Sequence, residues 1–225
     1  MRIRGVIFDL DGTLLDTLPD LAEAVNTVLA RHGFPTHPLE DYRLMVGFGA
    51  IIMIERAVPP EARSPERVEA LFREFEEEYE RRAHLRTRPY PGIPDLLGRL
   101  REAGIRLAVL SNKPHHAVEG ALAPFFDLSL FDVILGHREG LPPKPDPRGV
   151  YEILAAWSDL GPEDVVLVGD SEVDLETARA AGIQAVAVTW GFRTEEELRD
   201  AGAGILCHRV EDLYALLSRE MSPLR

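Results

Sequence analysis

The 225-residue sequence predicts an α/β fold: a doubly wound parallel sheet into which an all-helical cap domain is inserted. Three observations support this prediction. Short apolar runs rich in β-branched residues recur along the chain and alternate with helical patterns. Polar segments that contain glycine, aspartate or serine follow several of these runs directly. One long interval, from about residue 18 to about residue 88, has helical patterns and no convincing strand.

The predicted strands are short and apolar, as expected for strands that helices cover on both faces. They are Ile3–Phe8, Leu107–Leu110, Val133–Leu135, Val165–Val168 and Ala185–Val188. The helices predicted around them are Pro94–Ala103, His116–Ala123, Arg148–Ala156, Leu175–Ala181 and Glu195–Ala201. Regular strand–helix alternation is typical of a parallel sheet, and we therefore predict a Rossmann-like core.

The interval without strands is predicted to be a cap domain of residues 18–88, leaving residues 1–17 and 89–225 for the α/β core domain. Glycine- and proline-containing breaks divide it into helices. These are predicted at Pro19–His32, Leu39–Met45, Ala50–Ala57 and Pro65–Arg82. The segment Pro89-Tyr90-Pro91-Gly92 then predicts a stiff return connection into the sheet.

The composition argues against several classes of protein. A formal net charge of −13 is unsuited to a nucleic-acid surface and would repel an anionic substrate at long range. The first apolar stretch is too short and too soon interrupted by aspartates for a signal peptide or a membrane span. The single cysteine, Cys207, agrees with a reducing compartment. We therefore expect a cytoplasmic protein, a monomer or homodimer, with no nucleic-acid or membrane partner.

Two carboxylates follow the first predicted strand, in the segment Phe8-Asp9-Leu10-Asp11-Gly12-Thr13. In doubly wound folds, ligands bind at this carboxyl edge of the sheet. Residues two apart on an extended chain point the same way, so Asp9 and Asp11 are expected to face one substrate. Gly12 leaves backbone amides open to an anion. The alternative is a plain capped turn, since Asp, Gly and Thr all favour turns.

Ser111, Asn112 and Lys144 supply groups that suit a phosphate. Ser111 and Asn112 follow the second predicted strand, where a hydroxyl and a backbone amide can donate hydrogen bonds to a phosphoryl oxygen. Lys144 lies between prolines that would restrict its backbone, and Lys113 is the only other lysine among 25 Lys and Arg residues. An ordinary turn and an ordinary surface lysine are the alternatives.

Asp170 ends another predicted strand, in Gly169-Asp170-Ser171-Glu172-Val173-Asp174. Its position suits a ligand of Mg²⁺, which prefers a few carboxylate oxygens and keeps its other positions for water and substrate phosphate. Asp174 would lie in the first turn of the following helix. An acidic side chain is favourable there for the helix alone, so Asp174 has a structural as well as a catalytic interpretation.

These segments, in this order, resemble the four motifs of the haloacid dehalogenase superfamily: Asp9-Leu10-Asp11-Gly12-Thr13, Ser111-Asn112, Lys144, and Gly169-Asp170-Ser171 with Asp174. The resemblance covers nearly the whole chain, including a helical cap after the first motif. It implies that Asp9 is the nucleophile and Asp11 the general acid and base. It further implies that Ser111 and Lys144 hold the phosphoryl group, while Asp9, Asp170 and the backbone carbonyl of Asp11 bind Mg²⁺, with Asp174 in support.

Within the superfamily, the sequence is most similar to phosphoglycolate phosphatases. This similarity rests on Val46-Gly47-Phe48-Gly49-Ala50, Ser111-Asn112-Lys113-Pro114 and Lys144-Pro145-Asp146-Pro147. It implies a small phosphorylated metabolite as substrate, foremost 2-phosphoglycolate. It also implies that Thr13, Asn112, Gly47 and Gly49 join Ser111 and Lys144 in substrate binding. Phe48 departs from the polar residue that we associate with this position of the cap.

Several alternatives differ in chemistry. Phosphonate hydrolases of similar design use a cap lysine, and residues 18–88 contain none. Dehalogenases need no acid to protonate a leaving group, so the presence of Asp11 favours phosphoryl transfer. A non-catalytic binding module could have lost an acidic catalytic residue. It is disfavoured because the four catalytic residues of the family are all present, namely Asp9, Asp11, Lys144 and Asp170. A sugar-phosphate mutase, a pyrophosphatase and a phosphatase of broad range stay open. We interpret His115, His116 and Trp190-Gly191-Phe192-Arg193 as surface or packing residues outside the site.

Overall fold

A computed structural model describes residues 3–82 and 84–221. From β1 to β3, its elements are β1 (Gly5–Phe8), β2 (Leu15–Asp16), α1 (Leu18–Arg31), α2 (Tyr42–Met45), α3 (Ala50–Ala57), α4 (Pro65–Arg82) and β3 (Arg88–Pro89). The remainder comprises α5 (Ile93–Glu102), β4 (Arg106–Pro114), α6 (His115–Leu122), β5 (Val133–His137), α7 (Arg148–Ala156), β6 (Val165–Gly169), α8 (Glu172–Ala181), β7 (Gln184–Val188), α9 (Glu195–Asp200), β8 (Leu206–Cys207) and α10 (Val210–Met221). None of the helices in these residues combines the length and the apolar character needed to span a bilayer.

Six strands form one parallel sheet in the order β5-β4-β1-β6-β7-β8. The first strand lies inside the sheet and pairs with β4 on one side and β6 on the other. The chain therefore builds outward from β1 in one direction and then in the other, which creates a crevice at the carboxyl ends of the strands where the direction reverses. This topology confirms the predicted doubly wound α/β fold.

Alternate residues of β1 face opposite layers of helices, as the two-residue period of a strand requires. Val6 and Phe8 pack in a hydrophobic cluster with residues of α5, α6 and α10. Ile7 packs on the other face with residues of α7 and α8. All three side chains are fully buried. Coverage on both faces explains why the strands are continuous apolar runs in the sequence.

The segment between β2 and β3 has helices as its only regular elements among the described residues, as predicted for the cap. Residues of α1, α3 and α4 pack in a hydrophobic cluster that is separate from the clusters on the two faces of the sheet. At the base, β2 and β3 pair antiparallel, with Leu15 opposite Pro89 and Asp16 opposite Arg88. The limits of the cap domain at residues 18 and 88 stay a prediction.

The observed elements differ from the predicted ones at several ends. Strand β4 continues to Pro114, so the second motif lies within the strand and not after it. Helix α8 begins at Glu172, three residues earlier than predicted, because the Asp174 carboxylate accepts hydrogen bonds from both the amide and the hydroxyl of Ser171 and so stabilises the first turn. The predicted helix Leu39–Met45 is divided into a 3-10 turn and α2. Strands β2, β3 and β8 and helix α10 are elements that were not predicted from the sequence.

Candidate active site

A cavity of about 770 Å³ lies between the carboxyl edge of the sheet and the helical insertion. Its core side includes Asp9, Asp11, Ser111, Asn112 and Lys113. Its other side is largely apolar and includes Leu21, Val46, Gly47, Gly49, Met53, Phe72, Phe75 and Tyr79. Six of the predicted site residues therefore line one cavity: Asp9, Asp11, Gly47, Gly49, Ser111 and Asn112.

Asp9 directly follows β1, and its amide donates to the carbonyl of Val168 in β6 at 2.9 Å. Its carboxylate accepts a hydrogen bond of 2.7 Å from the Lys144 ammonium. Burial raises the pKa of Asp9 well above its ordinary value; Lys144 opposes this rise, and the charges of Asp174 and Asp170 reinforce it. The backbone thus fixes a buried carboxylate at the inner end of the cavity.

Lys144 is held in place by its own backbone. Its amide donates to the side-chain carbonyl of Asn112 at 2.7 Å, and its carbonyl accepts from the Asn112 side-chain amide at 3.0 Å. Its ammonium lies 2.6 Å from an Asp174 carboxylate oxygen as well as against Asp9. Burial alone would lower the pKa of Lys144, but Asp174 and Asp9 outweigh it and raise that pKa. Lys144 therefore carries its positive charge between two carboxylates.

The Asn112 side chain connects three parts of the site. Besides its two bonds to Lys144, it donates to the carbonyl of Gly47 in the helical insertion at 3.0 Å. Asn112 was predicted to bind substrate, yet its side-chain amide and carbonyl already have protein partners. Its observed contacts are those of a residue that positions Lys144 and the segment around Gly47.

Asp170 is buried at the end of β6 and is held by two hydrogen bonds. Thr13 donates its hydroxyl to one carboxylate oxygen at 3.1 Å, and the Phe192 amide donates to the other at 2.7 Å. Burial and then the charge of Asp174 raise the pKa of Asp170 to about 7, against those two hydrogen bonds. Thr13 was predicted as a substrate ligand; its hydroxyl instead contacts Asp170, and it is fully buried.

Asp9, Asp170 and Asp174 each place a carboxylate oxygen within 4.8 Å of the others. All three are buried, and the single ammonium of Lys144 cannot neutralise three carboxylates. Buried surplus negative charge of this kind is stable only when protons or a cation compensate it. A Cβ atom on Gly12 would lie 2.3 Å from an Asp170 oxygen, so the backbone is shaped around this carboxylate. The donor set fits a divalent metal ion.

The family model of the haloacid dehalogenase-like hydrolases matches residues 6–188, and this range contains every predicted catalytic position. The chain belongs to this family. The resemblance inferred from four short motifs is therefore confirmed over most of the chain.

This haloacid dehalogenase-like hydrolase is similar to phosphatases over more than nine-tenths of its length. It is 37% identical to phosphoglycolate phosphatase of Caulobacter vibrioides, over 92% of this chain and 88% of that protein. It is 34% identical to N-acetylmuramic acid 6-phosphate phosphatase of Pseudomonas aeruginosa, over 98% and 97%. A crystal structure from Lactobacillus delbrueckii subsp. bulgaricus, proposed to be a phosphoglycolate phosphatase, has a TM-score of 0.90 and 32% identity, covering 96% and 99%. The chain is thus a phosphoglycolate phosphatase-like enzyme.

Lys113 lines the same cavity and was not predicted as a site residue. Its ammonium lies 3.2 and 3.3 Å from the two carboxylate oxygens of Asp11, and 4.8 Å from the centre of the Tyr79 ring. Burial alone would lower the pKa of Lys113, but Asp11 and then Tyr79 outweigh it and raise that pKa. The scarcity of lysine was the one feature of the sequence that pointed to it.

The loop of residues 190–193 is the second feature that was missed. We interpreted it as a packing segment, and Phe192 does pack in the hydrophobic cluster of the helical insertion. Its amide, however, donates to Asp170 at 2.7 Å, and the Trp190 indole donates to the carbonyl of Thr13 at 3.1 Å. The loop therefore contacts both the insertion and the acidic cluster, although its residues are not among those that line the cavity.

Two arginines, which we name the arginine clasp, join this loop to the segment around α2. Arg43 donates to the carbonyls of Gly191 and Phe192, each at 2.9 Å. In return, Arg193 donates to the carbonyls of Arg43 and Val46. Arg193 is buried and also pairs with Glu172 at 2.7 Å. The pairing is reciprocal, since each arginine reaches across to the other's segment.

Proposed function

We propose that this enzyme hydrolyses small phosphate monoesters, foremost 2-phosphoglycolate, with Mg²⁺ and through a phosphoryl group carried on Asp9. One observation carries this proposal. The Asp9 carboxylate lies on the wall of the cavity beside Asp11, with the Lys144 ammonium fixed 2.7 Å away. A nucleophile, an acid and a buried cation therefore meet where a phosphate ester can enter. The similarity to phosphatases over 92% and 98% of the chain supports the same reaction.

In the first half-reaction, an oxygen of Asp9 attacks phosphorus and the bond from phosphorus to the ester oxygen breaks. Asp11 gives its proton to the departing oxygen, which leaves as an alcohol. In the second half-reaction, Asp11 takes a proton from water as the water oxygen attacks phosphorus. The bond between Asp9 and phosphorus breaks, and inorganic phosphate leaves. Asp9 and Asp11 return to their starting states.

Lys144 and Ser111 act on the transferred group. The Lys144 ammonium reduces the repulsion between the Asp9 carboxylate and an anionic ester. Asn112 holds the backbone of Lys144, so this charge is positioned before substrate arrives. The hydroxyl of Ser111, which lines the cavity, is available to donate to a phosphoryl oxygen.

Asp9, Asp170 and the backbone carbonyl of Asp11 would hold Mg²⁺, with Asp174 supporting them. When bound, this ion neutralises charge on the phosphoryl oxygens and on the nucleophile. Thr13 and the Phe192 amide keep the Asp170 carboxylate oriented for it. The apolar residues of the opposite wall limit the access of water during the first half-reaction.

The test is phosphate release with and without Mg²⁺ from 2-phosphoglycolate, sugar phosphates, nucleoside monophosphates and pyrophosphate. We expect magnesium-dependent release that is greatest for 2-phosphoglycolate. Asp9→Asn should lower kcat by at least about 10³-fold, because the nucleophile is lost. Asp200→Asn, which changes an exposed aspartate at the end of α9, is the matched control and should retain full activity.

Two outcomes would contradict the proposal. Folded, magnesium-loaded enzyme that releases no phosphate from any of these esters is not a phosphatase of this class. Conversion of one sugar phosphate into its positional isomer without net release of phosphate, dependent on Asp9, would identify a mutase instead.

A second candidate substrate class is favoured by the size of the cavity. A volume of about 770 Å³ lies in the range of sites that enclose drug-sized ligands, and 2-phosphoglycolate has only two carbon atoms. A relative of similar length is named for a phosphorylated amino sugar. A sugar 6-phosphate with kcat/KM above that of 2-phosphoglycolate would select this second class and leave the mechanism unchanged.

A further inference from the structure

Lys113 places a positive charge on the wall of the cavity, separate from the charge of Lys144. Only 6% of its side chain is exposed. Its ammonium contacts both oxygens of Asp11 and lies 4.8 Å from the centre of the Tyr79 ring, which belongs to α4. In the proposed reaction, Lys144 and Ser111 contact the phosphoryl group, and Lys113 has no role. A buried ammonium on the wall of a substrate cavity is suited to an anionic group.

The other charges on the described cavity wall make Lys113 distinctive. Arg73 also lines the cavity, but its side chain is 69% exposed and it pairs with Glu69. Glu76, Glu77 and Glu80 line the same outer part and add negative charge. An anionic substituent on a substrate would therefore be repelled from this part of the cavity and attracted to the inner end.

Besides Lys113 and Arg73, two histidines that line the cavity can carry a positive charge, His84 and His116. His116 has a side chain that is 77% exposed and lies near Glu76. Burial lowers the pKa of His84, which favours its neutral form. Neither offers a permanent charge inside the cavity, whereas Lys113 does.

The position of Lys113 beside Asp11 sets the distance at which an anionic group could be bound. Under the proposed function, Asp11 contacts the ester oxygen that leaves. Lys113, which contacts Asp11, is then one further hydrogen bond from that oxygen. A carboxylate on the carbon next to the ester oxygen would reach Lys113 while the ester oxygen stays at Asp11. A carboxylate many bonds away, as on a sugar phosphorylated at a distant carbon, would lie elsewhere in the cavity.

We propose that Lys113 binds a carboxylate carried next to the phosphate ester. It thereby selects phosphorylated 2-hydroxy acids over phosphate esters of the same size that lack this carboxylate. This inference rests on the proposed phosphatase function and names the group that decides its specificity. It requires Lys113 to exchange at least part of its contact with Asp11 for the substrate carboxylate. The carboxylate then occupies the inner end of the cavity, beneath Tyr79.

The test compares 2-phosphoglycolate with phosphoglycolamide, an ester of nearly equal size in which a neutral amide replaces the carboxylate. Wild-type enzyme should have a kcat/KM about 100-fold higher for 2-phosphoglycolate than for the amide. The amide would leave the buried Lys113 ammonium without an anionic partner, which is unfavourable. In Lys113→Met, which removes the charge and keeps an apolar stem, this ratio should fall towards about 1, mainly through KM for 2-phosphoglycolate. Lys113→Arg, which keeps the charge, should retain a ratio of at least about 10.

The ratio of the two kcat/KM values shows whether Lys113 recognises the carboxylate or only positions Asp11. If Lys113 only orients Asp11, Lys113→Met lowers kcat for both esters and leaves the ratio unchanged, which would overturn the inference. A wild-type enzyme that does not distinguish the two esters would also overturn it.

Binding measurements distinguish this inference from the proposed function. Failure of the proposed function appears as no phosphate release from either ester by wild type. Calorimetric titration of Asp9→Asn with 2-phosphoglycolate in Mg²⁺ then still decides the role of Lys113. Adding Lys113→Met should weaken binding by about 100-fold, and unchanged affinity would refute carboxylate recognition.

Discussion

At the scale of single residues, Gly12 shows how closely the backbone approaches the acidic cluster. It has a φ of +92°, a conformation that other residues adopt at a cost of about 1–2 kcal/mol. Its missing side chain matters as well, because a Cβ atom would lie 2.3 Å from an Asp170 oxygen. Gly33 has a similar φ of +71° but nothing within 4 Å of the same position. Alanine at Gly33 would introduce backbone strain alone, whereas alanine at Gly12 would introduce the strain and also displace Asp170.

We predict that Gly12→Ala lowers magnesium-dependent kcat/KM by at least about 100-fold, since Asp170 must move. Gly33→Ala should cost about 1 kcal/mol of unfolding free energy and leave kcat/KM within about 2-fold. Urea unfolding and phosphate release under the same conditions measure both quantities. Similar activities in the two variants would show that Asp170 tolerates the displacement.

The raised pKa of Asp170 predicts how the unfolding free energy of the metal-free protein depends on pH. Its folded pKa of about 7 lies above the unfolded value of about 3.9. Between these values the folded state keeps a proton that the unfolded state releases. The unfolding free energy must therefore fall as pH rises from about 4 to about 7, by at most about 1.4 kcal/mol per pH unit from this group.

The measurement is urea unfolding in a chelator at pH 5, 6 and 7, for wild type and Asp170→Asn. The decline with pH should be steeper in wild type than in the variant, which has no carboxyl group to titrate. Equal slopes would mean that the folded protein does not hold this proton.

At the scale of elements, the arginine clasp ties α2 and the residues after it to the loop that follows β7. Replacing Arg193 with methionine removes its bonds to the carbonyls of Arg43 and Val46 and leaves Glu172 without its partner. We expect a loss of about 2–4 kcal/mol in unfolding free energy, because these are charge-assisted bonds of a buried residue. We also expect kcat/KM to fall by at least about 10-fold, since the neighbouring Phe192 amide orients Asp170.

Arg199→Met is the matched control for this prediction. Arg199 pairs with Glu195 within one exposed helix, and its side chain is 59% exposed. Such pairs contribute about 0.3–0.5 kcal/mol. If both variants lose the same small free energy, the clasp contributes no more than a surface pair.

The main strands and most helices were predictable because the information for them is local. Coverage on both faces makes each main strand an apolar run, and the period of a helix is visible in its own residues. The pairs β2–β3 and β7–β8 could not be found in this way. Strands β2, β3 and β8 have two residues each, and their pairing depends on a partner distant in the sequence. Helix α10 did have a local pattern, with Leu213 and Leu217 buried, and was overlooked.

The same distinction applies to the candidate site. Asp9, Asp11, Ser111, Lys144 and Asp170 could be proposed because each lies in a short motif that is visible in the local sequence. Two other residues have functional contacts that no local pattern reveals. Lys113 lies 102 residues along the chain from its partner Asp11, and Arg193 lies 150 residues from Arg43. Only the folded chain brings these partners together.

At the scale of the whole molecule, a net charge of −13 opposes the approach of a phosphate ester. The two lysines of the sequence are both buried at the site, so their charge acts at short range. Salt screens long-range repulsion over about 10 Å at 0.1 M and affects buried pairs much less. We therefore predict that kcat/KM for 2-phosphoglycolate rises by about 2- to 5-fold between 10 and 150 mM salt at constant free Mg²⁺.

Steady-state kinetics over this range of ionic strength measure the effect. Potassium chloride and potassium acetate should act alike, which excludes competition by one particular anion. A steady decrease in kcat/KM with both salts would mean that a local positive field, and not the net charge, governs the encounter.

Phe192 belongs by sequence to the core, yet its side chain is part of the insertion's hydrophobic cluster, and its amide holds Asp170. The boundary between the two structural units is therefore not a boundary in the sequence. A chimaera that takes residues 18–88 from another family member would receive a foreign hydrophobic cluster around a native phenylalanine. With the predicted cap limits, we expect the transplantable module to be residues 18–88 together with 190–193, so recombination between relatives must exchange two separate segments of the chain instead of one.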